Sequence, residues 1–257
     1  MKNQTALITG ASSGIGAEFA RRFAQAGTNL IISARRVERL ESLAAELRTA
    51  YSIDVKVVAA DLARPDGAAN LADAVGDRDI DILINNAGWG HIGHFVDEDP
   101  VGITEELQVN VVSLTQLTRA FLPGMVARNR GVVINLASTA AYQPVPNMAV
   151  YGATKAFVLS FTEALWGELR DTNVQALALS PGGTATEFFE VAGGRAMNGG
   201  LDTPQHVVEV ALAALANKKR PPSVIVGARN AVMAAANRFV DRATVIKVAS
   251  KVMRPNK

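Results

Sequence analysis

Tyr151 and Lys155 stand four residues apart within Val150–Asp171, a stretch with helical patterning, so they share one helix face. A phenol with its ordinary pKa of about 10 is a poor base at neutral pH. A nearby ammonium, together with the positive ring of an oxidised nicotinamide, favours the phenolate, and lowering the phenol to about 7 takes roughly 4 kcal/mol. In the reverse direction the same phenol would protonate a developing alkoxide. The spacing would equally suit a packed tyrosine beside a lysine lying along the surface. Ser138 follows the apolar run Val132–Leu136, where loops at the carboxyl edge of an α/β sheet build sites. Its hydroxyl could hydrogen-bond a substrate oxygen. Asn110 lies inside the helical pattern Thr104–Val126, a position that propensity disfavours for asparagine. If buried it needs partners, which a kinked backbone or an ordered water leading to Lys155 would supply.

A second chemical feature is the run Thr9-Gly10-Ala11-Ser12-Ser13-Gly14-Ile15-Gly16 between a short apolar strand and a helix. A tight glycine turn brings backbone N–H groups to a pyrophosphate, and the helix N-terminus adds partial positive charge. The spacing is G-x-x-x-G-x-G, which differs from the G-x-G-x-x-G fingerprint. The second strand closes on Ser33-Ala34-Arg35-Arg36. No acid is present there to take a ribose 2′-hydroxyl, and two guanidiniums can take a 2′-phosphate. The expected cofactor is therefore NADP(H), although both arginines would also suit a solvated helix start.

These residues need a sheet to hold them. Short apolar runs at Ala6–Thr9, Leu30–Ser33, Val55–Ala59, Ile82–Asn85, Val132–Leu136, Gln175–Leu179 and Val224–Val226 read as strands. Helical patterns fall between them, near Gly16–Ala26 and Glu38–Thr49 as well as in the two segments above. Continuous apolar strands suit a parallel sheet covered on both faces. Alternating β and α elements predict an α/β, doubly wound, seven-stranded Rossmann sheet. One domain is expected over residues 1–227. It includes a glycine-rich loop, 182–202, long enough to be functional, and an amphipathic helical extension follows over 228–257.

The composition closes off several chemistries. The chain of 257 residues has no cysteine, so disulfides, thiol nucleophiles and thiolate metal sites are excluded. With only 3 histidines in the chain, no metal site is expected. The formal net charge is +2. From Ala228 onward seven basic residues face one acid, Asp241, which gives +6 there and leaves −4 elsewhere. A basic surface confined to one terminal segment argues against nucleic-acid binding. No signal-peptide pattern precedes the first strand, and no apolar run reaches the length of a membrane span. A cytoplasmic location is expected.

Taken together the motifs resemble those of the short-chain dehydrogenase/reductase family over nearly all of residues 4–227. The resemblance rests on Thr9–Gly16, Asp61, Asn85-Asn86-Ala87-Gly88, Asn110, Ser138, Tyr151-x-x-x-Lys155 and Pro181-Gly182. It implies an Asn110–Ser138–Tyr151–Lys155 tetrad. Tyr151 would be the general acid/base, and Lys155 would hold the nicotinamide ribose and lower the tyrosine pKa. Ser138 would position the substrate, and Asn110 would hold a relay water. Gly10, Ser12, Ser13, Gly14, Ile15 and Gly16 would cradle the cofactor phosphates. Arg35, beside Arg36, matches the position associated with NADP preference. Asp61 and Leu62 would contact adenine, and Asn86, Ala87 and Gly88 would line the adenosine side. Pro181, Gly182, Thr184 and Thr186 would border the carboxamide. The resemblance also implies a homodimer or homotetramer, formed through the helices around Asn110 and Tyr151.

The substrate is expected against Ser138 and Tyr151, with Trp89, Tyr142 and Phe188 as walls. His91, His94, Phe95, Gln143, Phe189 and Met197 are further candidates. Mostly apolar walls favour a hydrophobic or 3-oxoacyl-type carbonyl, or the matching secondary alcohol. In the tail, Val232, Ala236, Phe239, Ala243, Ile246, Ala249 and Met253 repeat at helical spacing. Such a stripe would pack on protein, or make weak contact with an anionic membrane surface. A non-catalytic NADP(H)-binding sensor and a peripheral membrane protein are the alternatives to an oxidoreductase.

Overall fold

All seven expected strands form and join in one parallel sheet of order β3-β2-β1-β4-β5-β6-β7. They are β1 (Thr5–Thr9), β2 (Asn29–Ala34), β3 (Val55–Ala59), β4 (Ile82–Asn85), β5 (Gly131–Leu136), β6 (Val174–Ser180) and β7 (Ser223–Ile225). The helices are α1 (Gly14–Gln25), α2 (Val37–Tyr51), α3 (Gly67–Val75), α4 (Pro100–Leu107), α5 (Leu114–Ala127), α6 (Ala149–Glu168), α7 (Phe188–Val191), α8 (Pro204–Ala216), α9 (Ala228–Ala236) and α10 (Arg242–Val252). The structure, a computed structural model, describes residues 4–193, 200–237 and 239–252, with only the backbone of the last two. Met197, Arg238, Met253, Arg254 and Lys257 lie outside the described residues.

Apolar residues on both faces of each strand explain the two helical layers. Ile8, Ile32, Ile84 and Ile134 point into one core with Phe19, Phe23, Leu40 and Val208 of α1, α2 and α8. Their neighbours Leu7, Ile31, Leu83 and Val133 point into a second core with Leu71, Leu117 and Met125 of α3 and α5. The period-two alternation of a strand thus feeds two layers. Strand order runs outward in both directions from the β1–β4 pair, so the carboxyl ends of β1 and β4 open a crevice between them.

The helical pattern around Asn110 is not one regular helix. Asp99 caps α4, accepting from the N–H groups of Val101 at 3.2 Å and Gly102 at 3.4 Å, with Pro100 at the first helical position. Between α4 and α5 the chain widens into a π turn, Gln108–Ser113. Such bulges in helices gather at functional sites. The tail also departs from expectation. Its stripe is divided between α9 and α10, and Val232, Phe239 and Ile246 are exposed, while Ala234, Val245 and Ala249 are buried. A break after Ala236 resets the helical phase, so periodicity read through it does not survive. No helix among the described residues is long and apolar enough to cross a membrane.

Candidate active site

The π turn sets Asn110 facing inward. Its Nδ2 donates to the Trp89 carbonyl at 2.8 Å and to Thr154 Oγ1 at 3.1 Å, and its Oδ1 accepts from the Trp89 N–H at 3.1 Å. Asn110 is 1% exposed, so these bonds are what makes its burial tolerable. They tie the loop after β4 to α6. From the same turn, Ser113 Oγ donates to the Leu62 carbonyl at 2.7 Å.

On α6, Tyr151 and Lys155 share a face as the spacing predicts, with the Lys155 Nζ 5.6 Å from the phenol ring centroid. Nζ donates to the Leu136 carbonyl at the end of β5, at 2.7 Å. Ser138 hydrogen-bonds the Tyr151 hydroxyl, and its Oγ also accepts from Ala140 N at 3.1 Å. A Cβ placed on Gly88 would lie 2.9 Å from Asn110 Oδ1 and 3.3 Å from Lys155 Nζ. Bare backbone at Gly88 therefore lets those two side chains converge. All four tetrad candidates meet here.

The resemblance implies a phenol lowered by Lys155. In the structure burial dominates and pushes Tyr151 up to about 12, with the Ser138 hydrogen bond opposing and the Glu106 charge adding to the rise. Burial pushes Lys155 down to about 8, against the pull of Glu106. Both shifts favour the neutral form of a desolvated group.

The glycine turn sits beside this cluster. Asn86 Nδ2 donates to the Thr9 carbonyl at 2.9 Å and the Gly10 carbonyl at 3.2 Å. A Cβ on Gly16 would fall 2.5 Å from both Asn86 Nδ2 and the Gly10 oxygen, so only glycine fits. Thr9 Oγ1 accepts from the N–H groups of Asn86 at 3.1 Å and Ala87 at 3.0 Å. Across the turn, the Arg36 Nη2 donates to Ser12 Oγ at 3.0 Å and Ser13 Oγ at 2.9 Å. Arg35 is exposed on the same corner. Thr186, from the loop after β6, packs on the turn, its Cγ2 2.9 Å from where a Gly14 Cβ would stand. Thr184 Oγ1 donates to the Gly182 carbonyl at 3.1 Å. Asp61 Oδ1 accepts from Ala63 N at 3.1 Å, which shapes the bend after β3.

Comparison with known proteins agrees with this geometry. The family model described as short chain dehydrogenase matches residues 4–194. The chain belongs to the short-chain dehydrogenase family. A very-long-chain 3-oxoacyl-CoA reductase of Laccaria bicolor is 36% identical over 177 residues, which are 67% of this chain and 52% of the relative. The chain thus spans about half the length of that relative. The structure of a short-chain dehydrogenase from Sphingobium yanoikuyae in complex with NADPH matches with a TM-score of 0.83 at 36% identity, covering 92% of this chain and 94% of the other. A 7β-hydroxysteroid dehydrogenase structure matches with a TM-score of 0.87 at 28% identity, covering 96% of each chain.

In this short-chain dehydrogenase an apolar cluster closes over the phenol. Ile92, Ala140, Val145, Met148, Phe189 and Ala192 form it, with Tyr151, Phe188 and Leu201 packed against it. The Phe188 ring centroid is 5.2 Å from that of Tyr151. The loop carrying Ile92 is pinned to the loop after β6 by Ile92 N–H donating to the Ala192 carbonyl at 2.9 Å. Tyr142 lies 3.4 Å, oxygen to oxygen, from Ser180 Oγ at the edge of the site. Gln143 Oε1 accepts from Asn237 Nδ2 at 2.5 Å, so the residue after α9 reaches this edge. Trp89 packs instead on the core of α3 and α5. What it brings to the site is its backbone, bonded to Asn110.

Sequence reading passed over three residues here. Gly90 has no room for a side chain, because its Cβ would lie 2.5 Å from Tyr151 Cδ2. Its only signal was a glycine directly after Trp89. Glu187 bridges Arg36 at 2.6 Å and Arg39 at 2.5 Å, joining the loop after β6 to the start of α2. Nothing local marks it. Glu106 is 1% exposed, and its signal was its place one helical turn before Asn110.

Proposed function

We propose that the chain is an NADP(H)-dependent reductase of hydrophobic carbonyl compounds, 3-oxoacyl chains among them, also able to run the secondary alcohol back to the carbonyl. The reading is carried by one arrangement: a phenol hydrogen-bonded to Ser138, next to Lys155 and a glycine cradle, under an apolar cluster. The residues present fit a dinucleotide. Gly10 and Gly16 leave backbone bare where a Cβ would collide, and Arg36 stands over Ser12 and Ser13 with no acid at the end of β2. Gly10, Ser12, Ser13 and Gly14 would hold the phosphates, Arg35 and Arg36 the 2′-phosphate, and Lys155 the nicotinamide ribose. The bound cofactor supplies or takes up hydride.

This chain's own residues handle the oxygen and the proton. At neutral pH a phenol held near about 12 keeps its proton. Tyr151 can therefore give that proton to a carbonyl oxygen as it becomes an alkoxide. Ser138 hydrogen-bonds the same oxygen and orients it. The Ile92–Phe189 cluster keeps water from the reacting carbon and offers apolar surface to an acyl or ring substrate. The similarity to a 3-oxoacyl-CoA reductase and to a hydroxysteroid dehydrogenase supports a large apolar substrate. Exposed Val101, Leu107, Val112 and Phe157 on α4, the π turn and α6 support assembly as a homodimer or homotetramer. A cytoplasmic location is part of this reading, and the cysteine-free composition is compatible with it.

The test is NADPH oxidation against a panel of carbonyls. Long 3-oxoacyl thioesters and bulky ketones should be turned over faster than small charged keto acids. If no carbonyl speeds NADPH loss above the substrate-free rate, the proposal fails.

A further inference from the structure

Beyond the tetrad, the site holds a buried carboxyl that the chemistry above does not use. Glu106 lies on α4 one helical turn before Asn110, and its Oε1 is buried with no hydrogen-bond partner. Its carboxyl accepts a hydrogen bond from the backbone N–H of His91. Beside it, Glu98 has a side chain only 4% exposed, with Oε1 3.8 Å from His91 Nδ1. That nitrogen is also buried without a hydrogen-bond partner, although the His91 side chain is 44% exposed. The unpartnered Glu106 oxygen, the unpartnered His91 nitrogen and the enclosed Glu98 side chain thus gather beside the loop that Asn110 holds. A carboxyl with an unsatisfied buried oxygen costs stability.

We propose that Glu106 is a positioning residue for the Tyr151–Lys155 pair, its carboxyl setting the charge of the amine and the proton on the phenol. The inference rests on the function proposed above only for its kinetic consequence. The groups that act on Glu106 are Glu98, which repels its charge, Lys155, which attracts it, and the His91 N–H, which bonds it. Burial first and Glu98 second push it up to about 7, so it changes charge within the working range of pH. When charged, it raises both Lys155 and Tyr151. During carbonyl reduction the O–H bond of Tyr151 breaks as an O–H bond forms on the substrate. One proton per turnover must then return to the phenolate, from Lys155 and ultimately from water.

The direct test needs no substrate. With [13Cε]lysine, the Lys155 signal is identified by its loss in Lys155→Met and titrated by NMR in the wild type and in Glu106→Gln. Removing the carboxylate should lower the Lys155 titration by roughly half a pH unit or more. Glu106→Asp should stay near wild type. Glu98→Gln, which takes away a repelling charge while leaving Glu106, should lower the pH at which Glu106 ionises and leave Lys155 at least as high as in wild type. An unchanged Lys155 titration in Glu106→Gln overturns the proposal. In the kinetic arm, Glu106→Gln should move the alkaline limb of kcat to lower pH while KM for the carbonyl stays within about twofold. A uniform loss of activity with no displaced limb would make Glu106 merely structural and also overturns it. If the wild type reduces no carbonyl, the functional reading fails, while the NMR arm still decides the role of Glu106.

Discussion

Two carboxylates in this molecule are the same chemical group under opposite conditions. Glu106 is sealed within reach of the Lys155 charge, and Glu187 bridges two arginines at the mouth of the cofactor crevice. Burial pushes the first up to about 7. Hydrogen bonds from Arg39 and Arg36 hold the second down at about 2. The difference shows where solvent still takes part. At the mouth, cations and water stabilise charge cheaply, so Glu187 works as an exchangeable clasp. In the interior, charge is costly, so Glu106 is poised to change protonation and can act on its neighbours by doing so.

The largest effect expected from this contrast is on stability against pH. The folded Glu106 sits near about 7, above its ordinary 4.5. As pH rises the unfolded chain releases this proton first. The stability is therefore full below about 4.5 and falls as pH climbs through about 7, by about 3 kcal/mol. Glu106→Gln removes the titrating group. Thermal melts should show the variant gaining on wild type between pH 5 and pH 8, while parallel pH curves would break the contrast.

A smaller effect sharpens the other end. Arg36→Ala should cost roughly 1.5–3 kcal/mol of NADPH affinity, the value of a hydrogen bond to a charged group, with NADH binding little changed. Calorimetric titration of both cofactors checks this, and equal losses for both would contradict a 2′-phosphate site at Arg36. Smallest is Glu187→Gln. The clasp is more than a third exposed on both sides, so its loss should cost under about 1 kcal/mol of folding stability. That contribution is present above pH 4.5 and fades as pH falls toward 2. Freed from Glu187, Arg36 should bind NADPH a few-fold tighter. Weaker NADPH binding would show that Glu187 holds the site together instead of competing for it.

The strands and the shared face of Tyr151 and Lys155 were legible because each has a short-range signature, while the grouping of Asn110 and Ser138 with them came from the family resemblance. β3 and β4 begin and end where the apolar runs do, and Tyr151 and Lys155 meet because helical periodicity is strict. What could not be read depends on long-range packing. At the π turn Asn110 bonds to Trp89 and Thr154, residues 21 and 44 positions away. Trp89 looked like a substrate wall, but its indole follows the α3–α5 core. The split in the tail stripe is a local break that periodicity cannot see. Burial, the main cause that pushes the Tyr151 phenol up, is a property of the whole fold that no local pattern announces. Glu187 meets Arg36 across 151 residues, with no pattern at either end to announce the pairing.

The central claim is that the Tyr151 hydroxyl delivers the proton to a carbonyl oxygen. It is tested most directly by single-turnover reduction of a long 3-oxoacyl thioester by Tyr151→Phe, with NADPH binding measured on the same sample. The account predicts that turnover falls by roughly 100-fold or more while the NADPH dissociation constant barely moves. Turnover at the wild-type rate by the phenylalanine variant would contradict it.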